Sequence, residues 1–87
     1  MKNILFELKK LFPLNDYVPY LDKQNEVHIE VTVEGQFIED IHFPNGFPNK
    51  GPIICNGIDK LSDKNDWKFD GDILNSFLNH YKKIKHK

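Results

Sequence analysis

Pro44, Pro48 and Pro52 recur every four residues between two apolar runs, Ile41–Phe43 and Ile53–Cys55. Each proline fixes φ and removes a backbone donor. Each also biases the residue before it towards extended backbone. Neither a helix nor an unbroken strand can pass through such a ladder. The segment is therefore predicted to be a rigid, extended loop that pins two strands at a fixed angle. Phe47 lies inside it, between Gly46 and Pro48, and its ring is predicted to fold down onto the core.

The strands flanking this loop follow from alternation. In Val27–Val33 the residues Val27, Ile29, Val31 and Val33 share one face, and His28, Glu30 and Thr32 share the other. Glu34-Gly35 fits a hairpin turn, and Gln36–Phe43 returns with Phe37, Ile41 and Phe43 on one face. Simple alternation places Glu39 on that same face, a conflict that a bulge or a twisted end near Ile38-Glu39 resolves. Before this hairpin, Tyr17–Leu21 reads as a short strand, at an edge or bulged because of Pro19. The residues Asp22 to Glu26 read as a polar turn. After the proline loop, Ile53-Ile54-Cys55 reads as a fourth strand.

Helices close both ends. Ile4, Leu5, Leu8, Leu11 and Phe12 recur at helical spacing over Asn3–Phe12, and Pro13 ends the run. In so short a chain this stripe is needed for the core. Asn56–Asp66 is a polar loop, with room for one helical turn and with Ile58 and Leu61 as apolar anchors. Trp67 and Phe69 return aromatic mass to the core. Asp70 is the predicted N-cap of a final helix, whose stripe is Ile73, Leu74, Phe77, Leu78, Tyr81 and Ile84. The expected fold class is α+β: an N-terminal helix, a four-stranded antiparallel meander and a C-terminal helix, in one domain over residues 1–87.

Composition narrows the function. The formal net charge is −1 with charged residues at 29%, which gives no electrostatic footprint for nucleic acid. No apolar run reaches the ~18 residues of a membrane span. The first twelve residues carry Glu7 and no long apolar run, so no signal peptide is expected. The single cysteine, Cys55, excludes an internal disulfide framework and suits a reducing, cytosolic or nuclear compartment.

An aromatic residue, a proline, three residues, a second proline and a β-branched strand resemble the signature loop of the ubiquitin-conjugating fold superfamily. Here the match is Phe47-Pro48-Asn49-Lys50-Gly51-Pro52-Ile53-Ile54, with Phe in place of the usual Tyr. The strand ending Phe43-Pro44 precedes it, and Trp67 ahead of the last helix is similar to a tryptophan of those enzymes. The resemblance covers nearly the whole chain, which is far shorter than a full conjugating enzyme. It implies a structural signature of Phe43, Pro44, Phe47, Pro48, Pro52 and Trp67. It also implies a non-catalytic domain of the UEV type, such as the N-terminal domains of ESCRT-I subunits, or the related RWD type. Such domains bind ubiquitin, ubiquitin-like modifiers or peptides and assemble larger complexes, in the cytoplasm, at endosomes or in the nucleus. No cofactor is implied.

The family's enzymes use a cysteine shortly after a His-Pro-Asn triplet. Phe43-Pro44-Asn45 ahead of Cys55 imitates that order, but Phe43 holds the histidine's place and His42 is displaced by one. The same residues cannot serve both as the proline loop before the fourth strand and as the triplet after it. Cys55 is therefore expected at a core-facing or edge position, as an inert small hydrophobe, and the domain is expected not to be an enzyme; a miniature conjugating enzyme for a ubiquitin-like modifier, using Cys55, is the enzymatic alternative. His28 and His42 fall on neighbouring strands, on one face if the register allows, with Glu30 or Asp40 as companions. Zinc sites take three or four convergent ligands, so a solvated sheet face and no metal is the expectation.

Overall fold

The alternating strands lie side by side in chain order, and both helices cover one face of them. The computed structural model describes residues 2–57, 59–60 and 66–85. Within these lie α1 (Lys2–Leu11), β1 (Asp16–Leu21), β2 (Val27–Val33), β3 (Gln36–Phe43), β4 (Ile53–Asn56), β5 (Asp59–Lys60) and α2 (Ile73–Lys85). The sheet order is β1-β2-β3-β4-β5, antiparallel throughout. The expected meander of four strands is thus present, extended by the two-residue β5. Ile58, Leu61 and the rest of 61–65 lie outside the described residues.

The core lies between the sheet and the helices. Ile29, Val31, Ile41, Phe43 and Ile54 enter from the strands, Ile4 and Leu8 from α1, and Phe77, Tyr81 and Ile84 from α2. Each such side chain gains roughly 1.5–3 kcal/mol by leaving water. The β2–β3 hairpin closes through Glu34 at φ 52° and Gly35 at φ 80°. Two successive positive φ values make the turn whose twist matches the strands.

The bulge occurs at the expected place with the opposite outcome. Val31 pairs with Glu39 and Thr32 with Phe37, leaving Ile38 as the extra residue. The extra residue turns Phe37 out to solvent and keeps Glu39 on the core face, fully buried. Glu39 tolerates this because the Tyr81 hydroxyl and the Lys85 ammonium both donate to its carboxylate. A buried charge with such partners escapes the cost that an isolated one incurs.

Other positions differ from the sequence reading for local reasons. Leu11, Ile73 and Phe69 are exposed. Phe12 takes the place next to the core that Leu11 would fill, with its ring edge-on to Tyr81 at 5.9 Å. Half-buried Leu74 packs where Ile73, at the first position of α2, does not. Trp67, not Phe69, fills the space beside Phe47 and His80. The helix cap is Asp72, whose Oδ1 accepts the Asn75 N–H at 3.1 Å. Asp70 instead braces the preceding turn, with Oδ1 accepting from the Asp72 N–H and the Ser76 hydroxyl.

Candidate functional site

The proline loop assembles into one packed unit. Its turns close through Phe47 N–H to Pro44 O and Lys50 N–H to Gly46 O, both 2.8 Å. The Phe47-Pro48 peptide is cis. Phe47 packs edge-on against Phe43 at 4.9 Å and tilted against Trp67 at 5.5 Å. The Trp67 indole N–H donates to Pro48 O at 2.7 Å, and Pro52 is buried at the start of β4. Phe43, Pro44, Phe47, Pro48, Pro52 and Trp67 thus act in packing and turn closure.

Cys55 lies neither on the core face nor on an edge strand. It pairs with Asp40 across β3–β4 while Ile54 takes the core side. That alternation puts the half-buried thiol on the face away from the helices. His42 shares this face one pair along, opposite Ile53, but directs its Nε2 to Glu26. Asn45 belongs to the proline loop, where its backbone N–H donates to Glu26 Oε2 at 2.7 Å. His42 and the Asn45 backbone thus both meet Glu26.

The outer sheet face instead holds a cluster of imidazoles and carboxylates. His28 and His42 are direct cross-strand partners. Their rings stack at 4.1 Å and 4°, and the Tyr20 ring stacks on the other side of His28 at 4.8 Å. The histidine side chains are 13% and 22% exposed, so this face is not a fully solvated one. His28 Nε2 meets Asp22 Oδ2 and its Nδ1 meets Asp40 Oδ2, each at 2.7 Å. His42 Nε2 meets Glu26 Oε1 at 2.9 Å and lies 3.7 Å from Asp22 Oδ2.

Each carboxylate in the cluster has one oxygen tied to the scaffold and the other aimed at an imidazole. Asp22 Oδ1 accepts the N–H groups of Gln24 and Glu26, which closes the turn in which Asn25 takes φ 63°. Glu26 Oε2 holds Asn45. Asp40 Oδ1 accepts the Tyr20 hydroxyl at 2.6 Å. Of the companions expected for the histidines, Asp40 is in contact and Glu30 is exposed. Asp22 and Glu26, from the β1–β2 turn, were not legible as members.

Electrostatics follow from this arrangement. Burial opposes the imidazolium of His28, but hydrogen bonds to Asp40 and Asp22 outweigh it and its pKa is raised. The bond to His28 and the Glu26 N–H hold the Asp22 carboxyl below its ordinary value. Burial, then the bond to Asp40, push the Tyr20 phenol up to about 12. The two shifts together favour an ionised Asp22 facing a protonated His28.

A second feature lies at the sheet edge. β1 is an edge strand among the described residues. Val18 and Leu21 are 54% and 61% exposed along it, and Leu14, just before it, is 83% exposed. A hollow of about 540 Å³ between α1 and β1 is lined by Leu5, Lys9, Asp16, Tyr17, Val18 and Thr32. Phe6, on α1, adds another exposed ring.

No protein-family model, curated protein or solved structure matches this chain.

Proposed function

We propose that this domain is a non-catalytic protein-binding module of the ubiquitin-conjugating-like kind, closest to the UEV type. It recognises an extended peptide, ubiquitin or a ubiquitin-like modifier, and helps assemble a larger complex in the cytoplasm, as in endosomal sorting. The observation that carries this reading is the β1 edge. Its large apolar side chains Val18 and Leu21 remain exposed, on opposite faces of the strand by their pairing with Glu30 and Val27, and Leu14 is exposed just before the strand. An open edge strand also offers backbone groups to an added strand, with alternate side chains entering neighbouring pockets. The hollow beside Val18 and Tyr17 suits such a side chain.

The position of Cys55 supports the absence of thioester chemistry. A conjugating nucleophile must be accessible and activated by a neighbouring group. Cys55 is half-buried in a strand, and the nearest imidazole along its face is bonded to Glu26.

The test is a titration of the isotope-labelled domain with ubiquitin and with extended peptides, followed by amide chemical shifts. Shifts along β1 and α1 that vanish in Val18→Asp support the reading. Shifts confined to other surfaces, or unchanged by Val18→Asp, overturn it.

A further inference from the structure

We propose that the outer sheet face holds a zinc-type divalent cation between His28 Nε2, His42 Nε2 and Asp22 Oδ2. This inference is independent of protein binding at the β1 edge. Its basis is convergence. The ligand atoms of Asp22, His28 and His42 all lie within 4.8 Å of one another. The individual separations are 2.7 Å for His28–Asp22 and 3.7 Å for His42–Asp22. A tetrahedral zinc with bonds of about 2.0–2.1 Å spaces its ligands by about 3.3 Å, within the range spanned by these values. The rings stack at 4.1 Å and 4°, so their in-plane lone pairs run side by side, and each ring must turn for both Nε2 atoms to face one ion.

The supporting bonds are those of a built metal site. A metal-bound histidine commonly donates its other ring N–H to a carboxylate, which fixes the tautomer and aims the free lone pair. His28 has this arrangement through Nδ1 and Asp40, and Asp40 is in turn held by Tyr20. Asp22 and Glu26 are each anchored by backbone N–H groups through one oxygen. That leaves Oδ2 and Oε1 aimed at the imidazoles. The donor set selects the ion: two imidazoles with a carboxylate suit zinc and similar transition metals, while calcium and magnesium favour all-oxygen shells.

The location gives the ion a structural task. Asp22 and Glu26 come from the β1–β2 turn, His28 from β2 and His42 from β3, and Glu26 also holds the proline loop at Asn45. One cation would tie that turn to two strands and, through Glu26, to the loop.

The experiment adds zinc chloride to chelator-treated full chain and measures binding by calorimetry, with histidine ring nitrogen shifts read by NMR. One equivalent is expected, with affinity in the micromolar range or tighter, and with the largest shifts on the Nε2 atoms of His28 and His42. His42→Gln and Asp22→Asn should abolish binding while retaining the circular dichroism of the parent. Asp40→Asn, acting through His28, should weaken binding by about 10–100-fold. Calcium and magnesium should leave the ring nitrogens unshifted. Zinc shifts confined to His80 or His86, binding undiminished in His42→Gln, or binding only at millimolar zinc would each overturn the proposal. Because the ring shifts are read on the parent chain, a variant that fails to fold does not remove the test.

Discussion

The Tyr81 hydroxyl on α2 donates to the carboxylate of Glu39 at the core face of β3, with both residues fully buried. Lys85 adds its ammonium at 2.7 Å, itself partly in water. The bonded group is worth less than the cost of orphaning either partner. Tyr81→Phe should destabilise by ~1–3 kcal/mol, because the carboxylate loses a donor. Glu39→Leu alone should cost a similar amount by stranding the hydroxyl. The double variant should recover much of that loss, since Lys85 can turn into solvent. Urea denaturation of the four proteins checks this, and strictly additive costs would contradict a coupled pair.

The same contact sets an alkaline limit. Burial, then the Glu39 charge, raise the Tyr81 pKa. Burial likewise raises that of Tyr17, and Tyr20 is also raised. Each folded pKa lies above the unfolded value, so the stabilisation is complete below the ordinary phenol range. It is lost as pH rises through and beyond that range. Absorbance near 295 nm should show little phenolate just above pH 10.0, the ordinary value. Phenolate should then appear together with loss of circular dichroism. Smooth titration of all three tyrosines at their ordinary value, with the fold intact, would contradict this burial.

Strand periodicity made the core legible: alternation in Val27–Val33 placed Ile29 and Val31 correctly because one face of that strand must leave water. The histidine cluster depended on something periodicity does not carry. Counting back from the Glu34-Gly35 turn without a bulge sets His28 opposite Ile41, and the extra residue Ile38 moves it opposite His42. Alternation flagged a bulge near Glu39, but only the tertiary partners Tyr81 and Lys85, more than forty residues away, explain why Glu39 stays inside. Asp22 and Glu26 join through turn geometry fixed by local side-chain bonds. Asp70 and Asp72 are both capping residues by type, so composition alone does not choose between them.

Cys55 should form no thioester. With activating enzyme, ubiquitin and ATP, a non-reducing gel should show no thiol-sensitive adduct, and Cys55→Ser should behave as the parent does. The half-buried thiol should also react more slowly with a small disulfide reagent in the native state than after unfolding. An adduct that disappears in Cys55→Ser would make the domain an enzyme.

The start of α2 should weaken in acid. The Asp72 N–H, then Asn75 and Ser76, hold the Asp70 carboxyl below its ordinary value. A depressed folded pKa gives stability that is present above the unfolded carboxylate range and lost as pH falls through the folded value. The urea midpoint of the parent should therefore drop more between pH 5 and 2 than that of Asp70→Asn. Asp72→Ala should cost ~0.5–2 kcal/mol at neutral pH through loss of the cap. Equal slopes for parent and Asp70→Asn would remove Asp70 from this role.

Gly51 should resist a side chain because of Trp67. A Cβ built at Gly51 would come 2.7 Å from the Cβ and Cγ of that residue. These are the root of the side chain, not a flexible tip, so the tryptophan must shift as a whole. Its indole N–H would then leave Pro48 O, and its ring would lose contact with Phe47 and His80. Gly51→Ala should therefore destabilise by ~1–3 kcal/mol through overpacking. Trp67 is the only tryptophan, so its emission reports the displacement directly, as a red shift with increased quenching by iodide. Gly35→Ala supplies the contrast. Nothing lies within 4 Å of a Cβ there, but its φ of +80° disfavours alanine. That variant should lose stability through backbone strain with Trp67 emission unchanged. If Gly51→Ala also left the emission unchanged, the packing of Trp67 against the proline loop would be refuted.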